Sequence, residues 1–324
     1  MYNILQKYFS SLVFLIKVLI ITGAYYVISD KLLNNDHFSH FLWSERFESL
    51  GSTGLSFLIF LLFLSLLNWV LEVKKWQSLV ATIKIVSLKV SAEQSLASLT
   101  ASLITPNRIG EYGAKAVYFK KEQRPKVLLL NFMGNAYQML TTVLLGILGL
   151  FFLKDFIVQV PIPVSALTVI GVVLLAVLFF VFFINKKWAD SIHKILNDLK
   201  NIPSIIHKKT FLFSLVRYIV FSHQFYFFLL FFGVEIDYFI VMPVIFSMYL
   251  ISSIIPGFVL FDWLVKGSVA VTLFRFFEVN DIIILSITAS MWILNFAIPA
   301  IVGSFYVLTF STKRLTLNES RVSK

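Results

Sequence analysis

Long apolar runs broken by short basic or acidic segments set the reading of this chain. The runs span about Phe9–Ser29, Leu55–Leu71, Val127–Leu153, Val164–Ile184, Phe211–Phe232 and Ile282–Phe310. Each approaches or exceeds the roughly 20 residues that a membrane-crossing helix needs. They are continuous rather than alternating, which argues against a membrane β-barrel. The pattern predicts an all-α polytopic membrane protein. Two further stretches do not read as simple crossings. Ser91–Leu103 is moderately apolar and ends at Thr105-Pro-Asn-Arg-Ile-Gly-Glu111, which interrupts a helix because Pro cannot continue one and Gly weakens it; Tyr112–Phe119 follows. Phe239–Ile255 likewise stops at Pro256-Gly257, and Phe258–Phe277 comes after the break.

Charge assigns the sides. The segment Asp30–Gly51 balances to −2, with Asp30, Asp36, Glu45 and Glu48 against Lys31 and Arg46. Lys74, Lys75, Lys84 and Lys89 follow the second run, Lys120, Lys121, Arg124 and Lys126 precede the third, and 186–209 balances to +4. Cytoplasmic loops carry the excess of Lys and Arg, so these basic segments and both termini, including the basic tail at 311–324, are expected inside the cell membrane. Acidic Glu235 and Asp237 are expected outside. The sides close only if each broken stretch is a hairpin that enters and returns on one side. The expectation is therefore about six crossings and two re-entrant hairpins in one integral membrane domain. It takes the form of an inverted repeat of three plus three, residues 9–153 and 164–310. Transporters are often built this way, with broken elements meeting near the midplane.

Composition removes other classes. Of 324 residues, 58% are hydrophobic and 14% charged, and mean hydropathy is +0.86. Soluble domains carry about 25% charged residues, so a soluble enzyme and a disordered chain are excluded. The net charge of +11 fits positive loops and contact with anionic lipids better than nucleic acid. No cysteine is present, hence no disulfide and no thiolate metal site. No P-loop, Rossmann glycine pattern, HExxH or Gly-x-Ser-x-Gly elbow occurs. The reading expects no cofactor, no metal and no enzyme activity.

The two breaks carry the candidate chemistry. Glu111 and Asp262 stand 151 positions apart, as do Lys115 and Lys266, while Pro106 and Pro256 stand 150 apart. Gln138 and Asn295 differ by 157, as do Gly146 and Gly303. An acid four residues before a Lys shares a helix face with it and can pair, and in water such pairs are structural trim. Charge at membrane depth is expensive and marks sites or pathways. Arg108 offers a planar fork for a phosphate, or serves as an interfacial basic residue. Asn135, Gln138 and Asn295 are either helix-to-helix hydrogen bonders or cavity lining, and Asn131 is read the same way. His223-Gln224, Lys17 and the pair Arg275–Glu278 have weaker functional claims. Trp43, Trp69, Trp76 and Trp188 read as interfacial anchors. Pro106, Gly110, Pro256 and Gly257 make the hairpin breaks.

The run Leu103–Val117 (LITPNRIGEYGAKAV), the later Ile255-Pro-Gly segment with its acid, and the hydropathy profile resemble the lysylphosphatidylglycerol synthase transmembrane family. That family includes the flippase half of the bacterial multiple peptide resistance factor. The resemblance runs from about the second span to the last. It departs at Asn131–Asn135, where members often carry an Arg-containing motif, and at Gly257–Asp262, where a Gly-rich run is usual. It implies translocation of a polar or aminoacylated phospholipid between leaflets. Arg108, Lys115 and Lys266 would neutralise the phosphate, and Glu111 and Asp262 would hold those cations or meet a cationic headgroup. A phospholipid substrate, anionic lipids at the basic loops and a lipid-modifying synthase are the partners it implies. The sequence contains no aminoacyltransferase domain, so no lysyl-lipid synthesis is expected from it. The rival expectation is a membrane-embedded glycosyltransferase or a lipid-synthase subunit acting on lipid-linked substrates.

Overall fold

A computed structural model describes residues 40–103, 105, 108–153, 195–255 and 262–310. The runs at 9–29 and 164–184, the tail at 311–324, Lys17, Trp188, Pro106, Pro256 and Gly257 lie outside the described residues. The elements are α1 (His40–Leu50), α2 (Ser52–Val80), α3 (Leu88–Leu103), α4 (Ile109–Val117), α5 (Arg124–Phe152), α6 (Ser204–Phe231), α7 (Tyr238–Ile254), α8 (Asp262–Phe274), α9 (Asp281–Trp292) and α10 (Ile298–Thr309). A π-helical turn at Ile293–Ala297 joins the last two into one crossing. Every described regular element is helical. Among the described residues, four segments are long and apolar enough to span a bilayer: Ser52–Val80, Lys121–Phe152, Ser204–Phe231 and Asp281–Thr309. The protein is an all-α polytopic membrane protein.

The exterior is apolar, unlike that of a soluble fold, and the interior mixes an apolar core with polar side chains. Leu55, Ile59, Phe63 and Leu66 on α2, Leu144, Ile147 and Phe151 on α5, and Ile301 and Phe305 on α10 are exposed. Those faces suit lipid tails. Buried instead are Ser91, Gln94, Ser95, Ser98, Thr100 and Ser102 of α3. Small hydroxyl-bearing residues let membrane helices approach closely and bond across the contact.

The broken stretches form paired short helices. At about 1.5 Å per residue, α3 is about 24 Å long and α4 about 14 Å. Each is shorter than the hydrocarbon core of about 30 Å. Packing partners come in corresponding sets: α3 with α4 and α7 with α8, α4 with α5 and α8 with α9, α3 with α10 and α7 with α5, and α2 with α6. Glycines set two of these contacts. A Cβ on Gly303 would stand 2.2 Å from the Leu96 carbonyl oxygen and 2.3 Å from the Thr100 hydroxyl; one on Gly146 would stand 2.3 Å from Leu250 Cβ. Leu250 follows Thr100 by 150 positions, the same offset as the prolines. Corresponding glycines therefore meet corresponding positions of the opposite hairpin. Thr100 adds a hydrogen bond of 2.8 Å to the Ala300 carbonyl. Gly303→Ala is expected to destabilise by roughly 1–3 kcal/mol through overpacking and to lower the melting temperature in detergent. Gly113→Ala, whose Cβ meets nothing, serves as the harmless control.

Several expectations change. The segment 30–51 is not all loop: its second half is α1. Trp43 stacks on Phe47 there, Phe47 meets Phe231 edge-on and Trp43 meets it at a tilt, and the Arg46 Nε–H donates to the Phe231 carbonyl. A cation at a helix C-terminus satisfies an orphan carbonyl and complements the dipole. The second crossing runs on to Val80, so Glu72 and Lys75 are buried within it rather than lying in a basic loop. Trp76 is buried, and Trp69 donates to a backbone carbonyl inside the bundle; neither is an interfacial anchor. Arg275 pairs with Asp281 at 2.5 Å rather than with Glu278.

Candidate functional site

The first break is held open by backbone geometry. Arg108 precedes α4 at φ 59°, ψ 25°. The left-handed region costs a non-glycine residue about 1–2 kcal/mol, so tertiary contacts must hold it there. Its guanidinium lies 5.2 Å from the centre of the Phe296 ring, within cation–π range. The Thr105 hydroxyl accepts the Gly110 N–H at 2.9 Å. A Cβ at Gly110 would stand 2.5 Å from the Ala101 carbonyl, so only glycine lets α4 fold back so closely onto α3.

The two acid–Lys pairs have different surroundings. Lys115 Nζ contacts Glu111 Oε1 at 2.7 Å and donates to Asn131 Oδ1 at 2.8 Å. It also sits 4.3 Å from the centre of the Trp76 ring, whose Nε1–H donates to Gln94. Its side chain is 2% exposed, so this pair is sealed among α2, α4 and α5. Lys266 contacts Asp262 Oδ2 at 2.6 Å, and those side chains are 29% and 33% exposed. The second pair is therefore the accessible one.

A hydrogen-bonded ladder crosses the bundle between them. Glu72 Oε2 receives Lys75 Nζ and Arg217 Nη1, each at 2.7 Å. Arg217 Nε–H donates to Asn68 Oδ1 at 2.9 Å, and Asn68 donates to Asn295 Oδ1 at 2.8 Å. Asn295 donates to Gln224 Oε1 at 2.9 Å, and Gln224 donates to Ser65 Oγ at 2.6 Å and to the Leu61 carbonyl. Asn295 sits within the π-turn. Its carbonyl accepts the Trp69 Nε1–H at 3.0 Å. This joins α2 to the turn by both side chain and backbone.

Ladder and second pair open onto one cavity of about 240 Å³. Its polar wall is Asn68, Arg108, Gln138, Arg217, Asp262, Lys266 and Asn295, and Tyr249, Trp263 and Phe296 are among its aromatic wall. The Arg108 Nε is buried without a hydrogen-bond partner. Such a group costs about 1–3 kcal/mol, and more when charged, unless a ligand satisfies it. Among the described residues, no three His, Asp or Glu side chains gather as metal ligands.

Of the residues singled out from sequence, Arg108, Gln138, Asp262, Lys266 and Asn295 are brought to this one cavity. Glu111, Lys115 and Asn135 are not. The first two close on each other, and Asn135 donates to the Tyr112 hydroxyl at 3.2 Å. Gly110 belongs to the break itself. His223 bonds the Tyr238 hydroxyl and the Ile219 carbonyl, not the cavity. Sequence reading passed over Asn68, Glu72 and Arg217. Arg217 had a signal: an Arg in mid-run with no acid three or four residues away.

The model of the lysylphosphatidylglycerol synthase transmembrane region matches residues 14–303. The chain belongs to this lysylphosphatidylglycerol synthase transmembrane family. No curated protein and no solved structure matches it. Family membership and apolar helices together make it an integral membrane protein connected with phospholipid modification or movement. In this family member the Pro-x-Arg-x-Gly-Glu motif is split. Its Arg faces the cavity, and its Glu braces a buried Lys.

Proposed function

We propose that this family member is a carrier that moves a polar phospholipid headgroup between the leaflets of the cell membrane, with the cavity as its binding site. The carrying observation is a cation-lined polar cavity inside a bundle with an apolar exterior, whose Arg108 has a buried, unpartnered Nε. Irregular backbone at membrane depth survives only when buried or lining a wet cavity, and Arg108 at the first break and Ser253 and Asp262 flanking the second line this one. The phosphate would be met by Arg108, Arg217 and Lys266, while acyl chains remain outside against the exposed Leu, Ile and Phe faces.

The corresponding contact sets support an inverted repeat of two halves. α2 and α6 cross at Asn68 and Arg217, 149 positions apart, close to the offset of the prolines. Rocking one half against the other about this contact would alternate access. Positive loops support a cytoplasmic placement of both termini. No covalent step is invoked. Glu72, Glu111 and Asp262 are each neutralised by a cation, and none is left as a free base.

Liposomes carrying the purified protein and leaflet-specific labelled phospholipids test the proposal. Arg108→Ala should lower the equilibration rate at least tenfold, since one charge-assisted phosphate bond is worth about 1.5–3 kcal/mol, while the melting temperature holds. Wild-type equilibration by that variant, or none by the wild type, would defeat the carrier reading.

A further inference from the structure

The geometry points to selectivity by charge: the cavity takes phospholipids whose headgroup is net anionic and carries no ammonium, and rejects aminoacylated and zwitterionic ones. The inference rests on the lipid-binding reading of the same cavity and names its substrate class.

It follows from where each carboxylate goes. Arg108, Arg217 and Lys266 line the cavity, Lys75 stands on its ladder and Lys115 in the sealed pair. Three acids oppose them, Glu72, Glu111 and Asp262. Glu72 is shared by Lys75 and Arg217 through one oxygen, and Glu111 is sealed against Lys115. Asp262 is the one acid among the described residues on the cavity wall, and Lys266 holds it at 2.6 Å. Among the described residues, no carboxylate on the cavity wall stands without a cation. Arg108 forms no ion pair with a described residue and presents an unpartnered Nε. The residues of the two breaks at Ile104, Pro106, Asn107 and 256–261 add no charge. An anionic phosphodiester relieves this cation excess. An ammonium entering beside Arg108 and Lys266 meets like charges, which disfavour it.

Lys266 is then the specificity-determining residue, because it keeps Asp262 occupied. Lys266→Met releases that carboxylate into the cavity and should admit a cationic headgroup. Asp262→Asn leaves Lys266 unpaired and should keep or strengthen the anionic preference. Misfolding cannot move the two variants in opposite directions.

Native mass spectrometry of the purified protein in mixed micelles of phosphatidylglycerol, lysyl-phosphatidylglycerol and phosphatidylethanolamine measures the preference directly, with Arg108→Ala marking the cavity. Wild type should bind phosphatidylglycerol at least tenfold over each of the others. Lys266→Met should cut that ratio about tenfold toward the lysyl lipid, and Asp262→Asn should not. Equal or preferential binding of lysyl-phosphatidylglycerol by wild type overturns the inference, as does an unchanged ratio in Lys266→Met. Displacement of the lipid by inorganic phosphate at equal concentration overturns the lipid as the source of the anion. Transport in liposomes is scored separately. Selective binding without translocation would leave charge selectivity standing and remove the carrier reading. Fast translocation of the lysyl lipid would do the reverse.

Discussion

Glu72→Gln is expected to be among the most damaging single substitutions in the chain. One carboxylate oxygen contacts both Lys75 and Arg217 at 2.7 Å. Removing its charge leaves two buried cations facing a neutral amide and each other. Breaking a buried pair by removing one partner costs about 3–5 kcal/mol, and here one acid serves two cations. The melting temperature in detergent should fall by several degrees at least. Arg217→Met should be milder for stability, because Lys75 still neutralises Glu72, yet it should slow lipid equilibration by removing a cavity cation. A stability loss as large for Arg217→Met as for Glu72→Gln would contradict this account of the ladder.

Lys115→Met separates bracing from binding. It strands Glu111 in a sealed site, again costing about 3–5 kcal/mol. The double variant Glu111→Gln with Lys115→Met removes both charges and should recover most of that loss, since neighbouring sites are not additive. Because neither residue lines the cavity, the double variant should also keep most of the wild-type translocation rate per folded molecule. If it is stable but inert, Glu111 or Lys115 has a direct part in transport, and the cavity assignment must widen.

The helices were legible because the bilayer imposes length and hydropathy so strictly. The ends of α3, α5 and α7 fall within three residues of the expected stretches, whereas α6 ends within one residue of its run but begins seven residues earlier. The breaks were legible from Pro, Gly and charge. What sequence could not supply was depth. Glu72 and Lys75 look like the start of a basic loop, because their mutual neutralisation, which lets α2 continue to Val80, is a tertiary fact shared with Arg217. The two acid–Lys pairs look alike in one dimension, and only packing against Trp76 and Asn131 seals one of them. Trp69 looked like an anchor because its partner, the Asn295 carbonyl, lies 226 positions away.

The distribution of partners along the chain also bears on biogenesis. Lys75, Lys115 and Lys266 each find an acid on their own helix, three or four residues back. Those three Lys can leave the insertion machinery already paired. Arg217 on helix α6 cannot, because Ser204–Phe231 contains no acid at all. A mid-helix Arg costs about 2.5–3.5 kcal/mol to insert alone. Its counter-charge, Glu72, is synthesised some 145 residues earlier and waits in the membrane. Assembly of the second half is thus templated by the first. A ribosome-attached chain truncated after α6 should integrate that helix efficiently with Glu72 present and poorly with Glu72→Gln.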